Sequence, residues 1–460
     1  MRWDVVVVGD GPAGSTAARL LAAWGHAVVL VGPGASSERA ESLPPSIRRL
    51  LRVVGVEEPG GLARSAGNLV YWGTDEPRME AFQDGHGFHV KRTAWDHYLR
   101  GLYRGEMIRA KAKGFDGRGV ALEDGRVVEG RFVLDCSGRR GMLGKDMRVL
   151  EPNRTACLCG MWAVAGAPEY TMIESYGDGW AWSVPVEEGR RQVACMVDSA
   201  VTRLVRQQGR TATYRGELSK TRAFSKMLTG KSPEGPIWGW DATGYTSTRF
   251  AGANWLLVGD AGSFLDPLSS YGVRKAMASA WLAAVVVHTA LRHPERQELA
   301  LSYYDEREKQ VYQNFRRRTA QFWGEAGDHA FYARRAEVEA FYRQADVVEA
   351  WAALRRADGL RLKVAESVTR EVHAGIEGNE IVAREALAAP GWPRGLQYVQ
   401  GVDVLKLVEM APQCGQVPDL FEAYNRTAQP VELSRFASVL SVLIACGVLR
   451  NEYNQGNQGC

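Results

Sequence analysis

Residues 4–31 read DVVVVGDGPAGSTAARLLAAWGHAVVLV. Asp4–Val8 is a β-branched run suited to a buried parallel strand. It runs into Gly9-Asp10-Gly11-Pro12-Ala13-Gly14. An apolar-periodic helix is expected over Ser15–Trp24 and a second apolar strand over Ala27–Val31. Strand, G-x-G-x-x-G, helix and strand in that order and length make a dinucleotide-binding Rossmann unit. Gly9 allows the tight turn, Gly11 lets backbone approach a pyrophosphate, and Gly14 lets the helix pack closely. Pro12 and Ala13 are also expected at the cofactor, next to the helix N-terminus whose N–H groups and dipole favour an anion. One feature is missing. The second strand should end in an acid for the ribose hydroxyls, but that position is Gly32. Glu38 or Arg39 of the next loop would have to substitute, and a looser hold on the adenosine end is expected.

The remaining composition sets bounds. A chain of 460 residues is too long for one ordinary core, so two or three domains are expected. Hydrophobic content of 45% and charged content of 24% are those of a globular protein. The net charge of +4 is small and its basic residues are spread, which argues against a nucleic-acid partner. No apolar run spans a bilayer and the start lacks the pattern of a secretory signal. Seven cysteines, at 136, 157, 159, 195, 414, 446 and 460, form no C-x-x-C pair. These features together lead to the expectation of a reduced, cytoplasmic chain without a membrane anchor. The eight histidines show no metal spacing, so no metal site is expected. His86 and His89 read as structural, and no catalytic acid or base can be assigned.

Three further segments carry a resemblance. Val90-Lys91-Arg92-Thr93-Ala94-Trp95-Asp96-His97-Tyr98-Leu99 matches V-x-R-x-x-F-D-x-x-L with Trp95 for Phe. Phe132-Val133-Leu134-Asp135-Cys136-Ser137-Gly138 matches a closing strand and turn. Trp255–Val258 leads to Gly259-Asp260-Ala261, then Pro267 and Gly272, as in G-D-A…P…G. Together they resemble the flavoprotein monooxygenases of the para-hydroxybenzoate hydroxylase-like fold. The resemblance implies FAD, with Arg92 touching it and Asp260 on the ribityl chain. It implies that Arg39, Glu41, Ser42, Ala112, Pro267, Gly272 and Val273 also line the cofactor. The helix after Gly272 would aim its amides at the flavin edge that gains negative charge on reduction. No second glycine fingerprint is present, so reducing power is expected from an external flavin reductase or from transient NAD(P)H.

Within that superfamily, Gly177-Asp178-Gly179-Trp180-Ala181-Trp182-Ser183-Val184-Pro185 resembles the W-x-W-x-I-P motif of flavin-dependent halogenases. Glu41-Ser42-Leu43-Pro44-Pro45 resembles their E-S-L-P-P segment, and Asp266–Gly272 their D-P-L-x-S-x-G segment. The resemblance covers about residues 1–320. It also implies a lysine between substrate and flavin that directs hypohalous acid, yet residues 1–90 contain none. Arg64 is a poor replacement, because a guanidinium offers no nucleophilic amine. The parent chemistry remains: a flavin C4a-hydroperoxide, formed with O2, delivers OH to an electron-rich aromatic ring. Strand alternation puts Trp180 and Trp182 on one face. They are expected, with Tyr71, Trp72 and Tyr271, in the substrate pocket; a purely core role for the pair stays open.

The expected fold is therefore α/β, α+β overall. A Rossmann-type FAD domain (1–60, 90–150, 246–325) is interleaved with a β-sheet substrate domain (61–89, 151–245). A helical C-terminal domain (326–460) follows. In it Phe331–Ala386 reads as long amphipathic helices, Ala389–Gly395 as a loop, Ser434–Val448 as a last helix, and Asn451–Cys460 as a polar tail. The lysine-lacking framework with that appendage resembles the peptidyl-tryptophan dihydroxylases of tryptophylquinone biogenesis. This implies hydroxylation of a tryptophan in a peptide or small protein subunit. A true halogenase of a small aromatic, a lipid-alkene saturase and a non-catalytic FAD scaffold remain as other readings; Trp180, Trp182 and the E-S-L-P-P segment argue against the saturase.

Overall fold

A computed structural model describes residues 2–83, 85–199, 202, 209–327, 329–336, 344–356, 361–389 and 392–451. The chain divides into two compact units, residues 1–338 and 339–460. Among the described residues no helix is long and apolar enough to cross a membrane.

The first unit holds two seven-stranded sheets. In one, Glu106–Arg109, Val28–Gly32, Trp3–Val8 and Val127–Asp135 lie side by side and parallel. Trp255–Leu257 pairs in parallel with the end of Val127–Asp135. Gly119–Leu122 and Ala112–Phe115 extend the sheet in antiparallel fashion. Val5, Val6 and Val7 are fully buried, as expected of a strand covered on both faces. The helix Pro12–Ala23 packs on the long helix Gly272–Arg292.

The second sheet runs in the order Pro233–Asp241, Thr155–Ala163, Arg190–Asp198, Gly179–Glu187, Thr171–Tyr176, Gly67–Tyr71, Arg78–Ala81. Its pairs are antiparallel except for Thr171–Tyr176 with Gly67–Tyr71. One face buries Leu158, Val193, Cys195 and Val197 under Tyr214, Phe224 and Leu228. A buried carboxylate holds that layer. Glu174 accepts the backbone N–H groups of Arg222, Ala223 (3.1 Å) and Phe224 (3.0 Å) at the start of the helix Ala223–Leu228. Removing it strands those donors beside the sheet. Glu174→Ala is expected to destabilise the first unit by about 3 kcal/mol, read from urea unfolding.

In the second unit, Leu407, Leu420, Tyr424, Phe436, Leu440, Leu443 and Leu449 form the core. They come from the helices Val404–Met410, Val417–Thr427 and Leu433–Ala445 and the strand Leu449–Asn451. The fold is the expected α/β one, with two local corrections. The helices expected over Phe331–Ala386 exist only as Ala330–Ala336 and Gln344–Arg356 among the described residues. Thr369–Glu377 and Glu380–Ala389 are instead an antiparallel hairpin, joined by Gly378-Asn379 with Gly378 at φ 58°. The Ala, Glu and Arg content favours helix, but that two-residue turn and the pairing of both strands override propensity. Trp392–Leu396 adds a third strand where a loop was expected. Pro390-Gly391 and the tail 452–460 lie outside the described residues.

Candidate active site

The site starts at the end of the first strand. Gly9 has φ 105°, and a Cβ there would lie 2.2 Å from the Cys136 carbonyl oxygen. A Cβ on Gly14 would lie 1.7 Å from the Gly9 carbonyl oxygen, so helix and loop touch backbone to backbone. A Cβ on Gly11 would meet nothing within 4 Å. The backbone at Gly11 therefore faces open space, and the helix start at Pro12 has no side-chain cap. That combination leaves a positive helix end facing a cleft.

The cleft has a volume of about 1020 Å³. Gly9, Gly11, Pro12, Ala13, Arg39, Glu41, Ser42, Arg92, Ala112, Asp260, Pro267, Gly272 and Val273 all line it. Gly14 sits behind them as the contact point. Neighbours fix several of these groups. Arg92 forms a two-pronged pair with Asp96 (3.0 and 3.1 Å) and reaches Glu41 at 3.4 Å. Gln192 holds Ala40 through both its amide atoms, accepting at 2.8 Å and donating at 3.3 Å. Thr171 donates to Ser42 at 2.9 Å and meets buried His89 at 3.1 Å. Asp135, fully buried, accepts from Ser137 and from the amide of Leu143 (2.7 Å), which shapes the turn beside Gly9.

The absent acid after the second strand has a structural cause. A Cβ on Gly32 would lie 2.4 Å from the Asp10 carboxyl carbon. Asp10, between the first two glycines, fills that space, accepts the Gly34 amide at 2.8 Å and pairs with Arg100 at 3.1 Å. Its charge is thus spent within the protein. Of the two substitutes expected, Arg39 lines the cleft and Glu38 does not.

The opposite wall is the second sheet, on the face that carries Trp180 and Trp182. Register brings one row across four strands: Trp240, Cys157, Met196, Trp180. The next row is Trp238, Cys159, Ala194, Trp182, Ile173. Cys157, Cys159 and Ala194 are fully buried and do not reach the cleft. Within these two rows the surface is made by four indoles with Ile173 and Met196, and Thr171 and Gln192 of the same sheet also line the cleft. Trp180 packs edge-on against Trp72 (6.4 Å) and Trp323 (6.3 Å) beneath it. It is both wall and core, so the two readings of the pair merge.

Three expected pocket residues lie elsewhere. Trp72 is buried under the wall and donates its indole N–H to the Phe322 carbonyl at 2.6 Å. Tyr71 packs against the cluster on the other face of the sheet. Tyr271 precedes the helix Gly272–Arg292 and packs at 4.9 Å against Phe315, the rings tilted by 53°. Strand alternation alone separates Tyr71 from Trp72, and neither reaches the cleft. Conversely, Trp238 and Trp240 were not anticipated, although Trp238-Gly239-Trp240 repeats the W-x-W spacing of 180–182. Asp266 also lines the cleft; burial pushes its carboxyl up to about 6.

The tryptophan halogenase family model matches residues 82–374, more than half of the sequence. The chain belongs to this family. Its relatives include a tryptophan 2-halogenase of Chondromyces crocatus, 30% identical over 332 residues. That match covers 65% of this chain and 64% of the relative, slightly less than two thirds of the relative's length. Among solved structures, the flavin-dependent halogenase CmlS superposes with a TM-score of 0.82 at 22% identity, covering 99% of this chain and 97% of that one. The peptidyl tryptophan dihydroxylase QhpG superposes with a TM-score of 0.72 at 24% identity, covering 97% and 99%. The cofactor of this halogenase-family enzyme is FAD. The cleft suits it: open space at Gly11, an uncapped helix start and continuity from there to the indole wall leave room for a long dinucleotide.

Proposed function

We propose that this protein is an FAD-dependent monooxygenase that hydroxylates an electron-rich aromatic ring, with the tryptophan side chain of a peptide or small protein as substrate. The observation that carries this reading is the chemistry of the wall. Four indoles, Ile173 and Met196 form most of it, with Thr171 and Gln192 beside them and no lysine among them. Of the lysines on the cleft, Lys113 lies on the strand Ala112–Phe115 of the first sheet, Lys111 just precedes it, and Lys145 opens a short 3-10 helix; none belongs to the second sheet. Lys275 is buried and donates to the carbonyls of Gly259 (2.9 Å) and Ser263, so its amine is engaged. The amine expected of a halogenase is thus missing where a ring would sit. The likeness in fold to a peptidyl tryptophan dihydroxylase supports the peptide substrate.

When bound and reduced, FAD supplies two electrons and the activation of O2. The sum is ring C–H plus O2, two electrons and two protons, giving ring C–OH and water. The protein's share is placement. Gly9, Gly11, Pro12 and Ala13 would present backbone to the pyrophosphate, with Gly14 packed behind them. Arg39, Glu41, Ser42, Arg92, Ala112, Asp260, Pro267 and Val273 would hold the rest, and the helix that begins at Gly272 would turn its positive end to the negative charge that a reduced flavin carries. Trp182, Trp238 and Trp240 offer indole faces and edges to an aromatic ring and exclude water from it. A flavin reductase outside this chain supplies reduced flavin.

The family match favours a second reading, halogenation of a small aromatic. One experiment separates the two. The FAD-loaded protein is incubated with a reductase, ¹⁸O2 and either free tryptophan or tryptophan-containing peptides, with and without chloride or bromide. Labelled oxygen in the peptide, indifferent to halide, is expected. A halide-dependent mass gain would replace the hydroxylase reading with the halogenase one. Trp238→Ala is expected to raise KM by roughly 10-fold with little change in FAD content, because about 1.4 kcal/mol of ring contact is lost from the wall.

A further inference from the structure

A second cavity, of about 90 Å³, lies behind the cleft. Three residues line both spaces: Phe264, Leu265 and Asp266. Only Asp266 among them can take up a proton. On the cavity side stand Glu151, Tyr312, Arg316, Arg334 and Arg335. Tyr312 donates its hydroxyl hydrogen to Glu151, and Arg316 pairs with the same carboxylate at 3.2 Å. The side chains of Arg316 and Arg334 are about half exposed, so the cavity ends at solvent.

We propose that Asp266 is the acid–base group of this site, taking the proton that leaves the substrate ring and passing it to solvent through the cavity past Glu151. Replacing a ring hydrogen requires it. After oxygen has bonded to the ring carbon, that carbon's C–H bond breaks, its electron pair returns to the ring, and the proton goes to the Asp266 carboxylate. The carboxyl then releases the proton outward and is restored. This rests on the aromatic-substitution reading, but hydroxylation and halogenation both release such a proton.

The surroundings suit the task. Burial holds the Asp266 carboxyl up to about 6, with the Leu268 amide (3.0 Å) and Arg335 opposing the rise and Glu151 adding to it. It is then a carboxylate at neutral pH with a proton affinity near that of the medium, which suits a base that must also let go. Arg334 is drawn to Asp198 at 3.0 Å, and Arg335 is 3.9 Å from the same carboxylate. Arg316 is paired with Glu151. The cavity's cations therefore have other partners, and among the described residues Asp266 is not locked in an ion pair of its own.

Two arms test this on the FAD-loaded protein. In infrared titration from pH 4.5 to 7.5, a carboxyl band with midpoint near 6 is expected, absent from Asp266→Asn. Glu151→Gln should move the midpoint down, because it removes a negative neighbour. This arm needs no turnover; a missing band, or a midpoint indifferent to Glu151→Gln, overturns the proposal. In the second arm, reduced FAD, O2 and N-acetyltryptophanamide serve as probe. Asp266→Asn keeps an acceptor for the Leu268 amide, yet should lower kcat roughly 10²-fold and abolish the acid limb of the pH profile. Asp266→Glu should restore that limb in part. An unchanged profile in Asp266→Asn sinks the proton role even if ¹⁸O enters the product. A halogenated product with the limb lost would retain the proton role and sink the hydroxylase reading.

Discussion

Gly14→Val is expected to abolish FAD binding and to leave a poorly folded first unit. The Cβ it adds would lie 1.7 Å from the Gly9 carbonyl oxygen, 2.9 Å from that carbonyl carbon and 3.3 Å from Cys136 Cβ. The nearest two contacts are backbone, so no rotamer change relieves them. The helix Pro12–Ala23 would have to leave the loop, and it also packs on Gly272–Arg292. A cost above about 4 kcal/mol is in the range of severe core strain. Gly11→Ala is the matched comparison. Its Cβ meets no protein atom within 4 Å, so the fold should hold while the methyl intrudes on the cleft. Thermal unfolding and the ratio of flavin to protein absorbance separate the two. Gly14→Val should lose both stability and flavin. Gly11→Ala should keep its melting point and lose roughly 10-fold in FAD affinity. Wild-type flavin content in Gly14→Val would contradict the role of the loop.

Acid should unfold the layer behind the cofactor segment, with His89 as a principal cause. His89 is 5% exposed, and burial, then Arg191, lowers its pKa from 6.5 to about 4. Thr171 gives its hydroxyl hydrogen to Ser42, so His89 Nε2 carries the hydrogen shared with Thr171. The unfolded chain binds this proton below pH 6.5, whereas the folded one resists it until about 4. The contribution is therefore fully present above pH 6.5 and is lost as pH falls to 4, amounting to about 3 kcal/mol. Asp266 acts with the opposite sign, since its carboxyl is raised and folding gains on protonation. The prediction is made on a difference for that reason. His89→Gln should lose about 3 kcal/mol less than the unaltered protein between pH 7 and pH 4, by urea unfolding at each pH. Equal losses would remove His89 from the account.

Most of the cofactor side was legible because local chemistry dictates it. A buried β-branched strand, glycines at a fixed spacing and an apolar helix leave few ways to fold residues 3–32, and the expected cleft residues line the cleft. The hairpin Thr369–Ala389 was harder. Alanine, glutamate and arginine fill it, and only Gly378-Asn379 signals the turn. Its strands are held by pairing with each other, an interaction between residues up to 19 apart that propensity does not see.

The indole wall marks the same boundary. Strand alternation in the sequence puts Trp180 with Trp182, and Trp238 with Trp240, on a common face each. It cannot tell that two strands lie between these pairs, or that their faces coincide. That is settled by pairing across Thr155–Ala163 and Arg190–Asp198, which sets Cys157, Cys159 and Ala194 in the rows between the indoles. Likewise Asp266 is one residue of a flavin-segment motif until the fold sets it between two cavities. The sequence by itself determined the Rossmann unit, the family likeness and the missing lysine, because each rests on residues close along the chain. Only the tertiary structure decided which rings face the cleft and which carboxyl can carry a proton, because both depend on what distant strands and helices bring alongside.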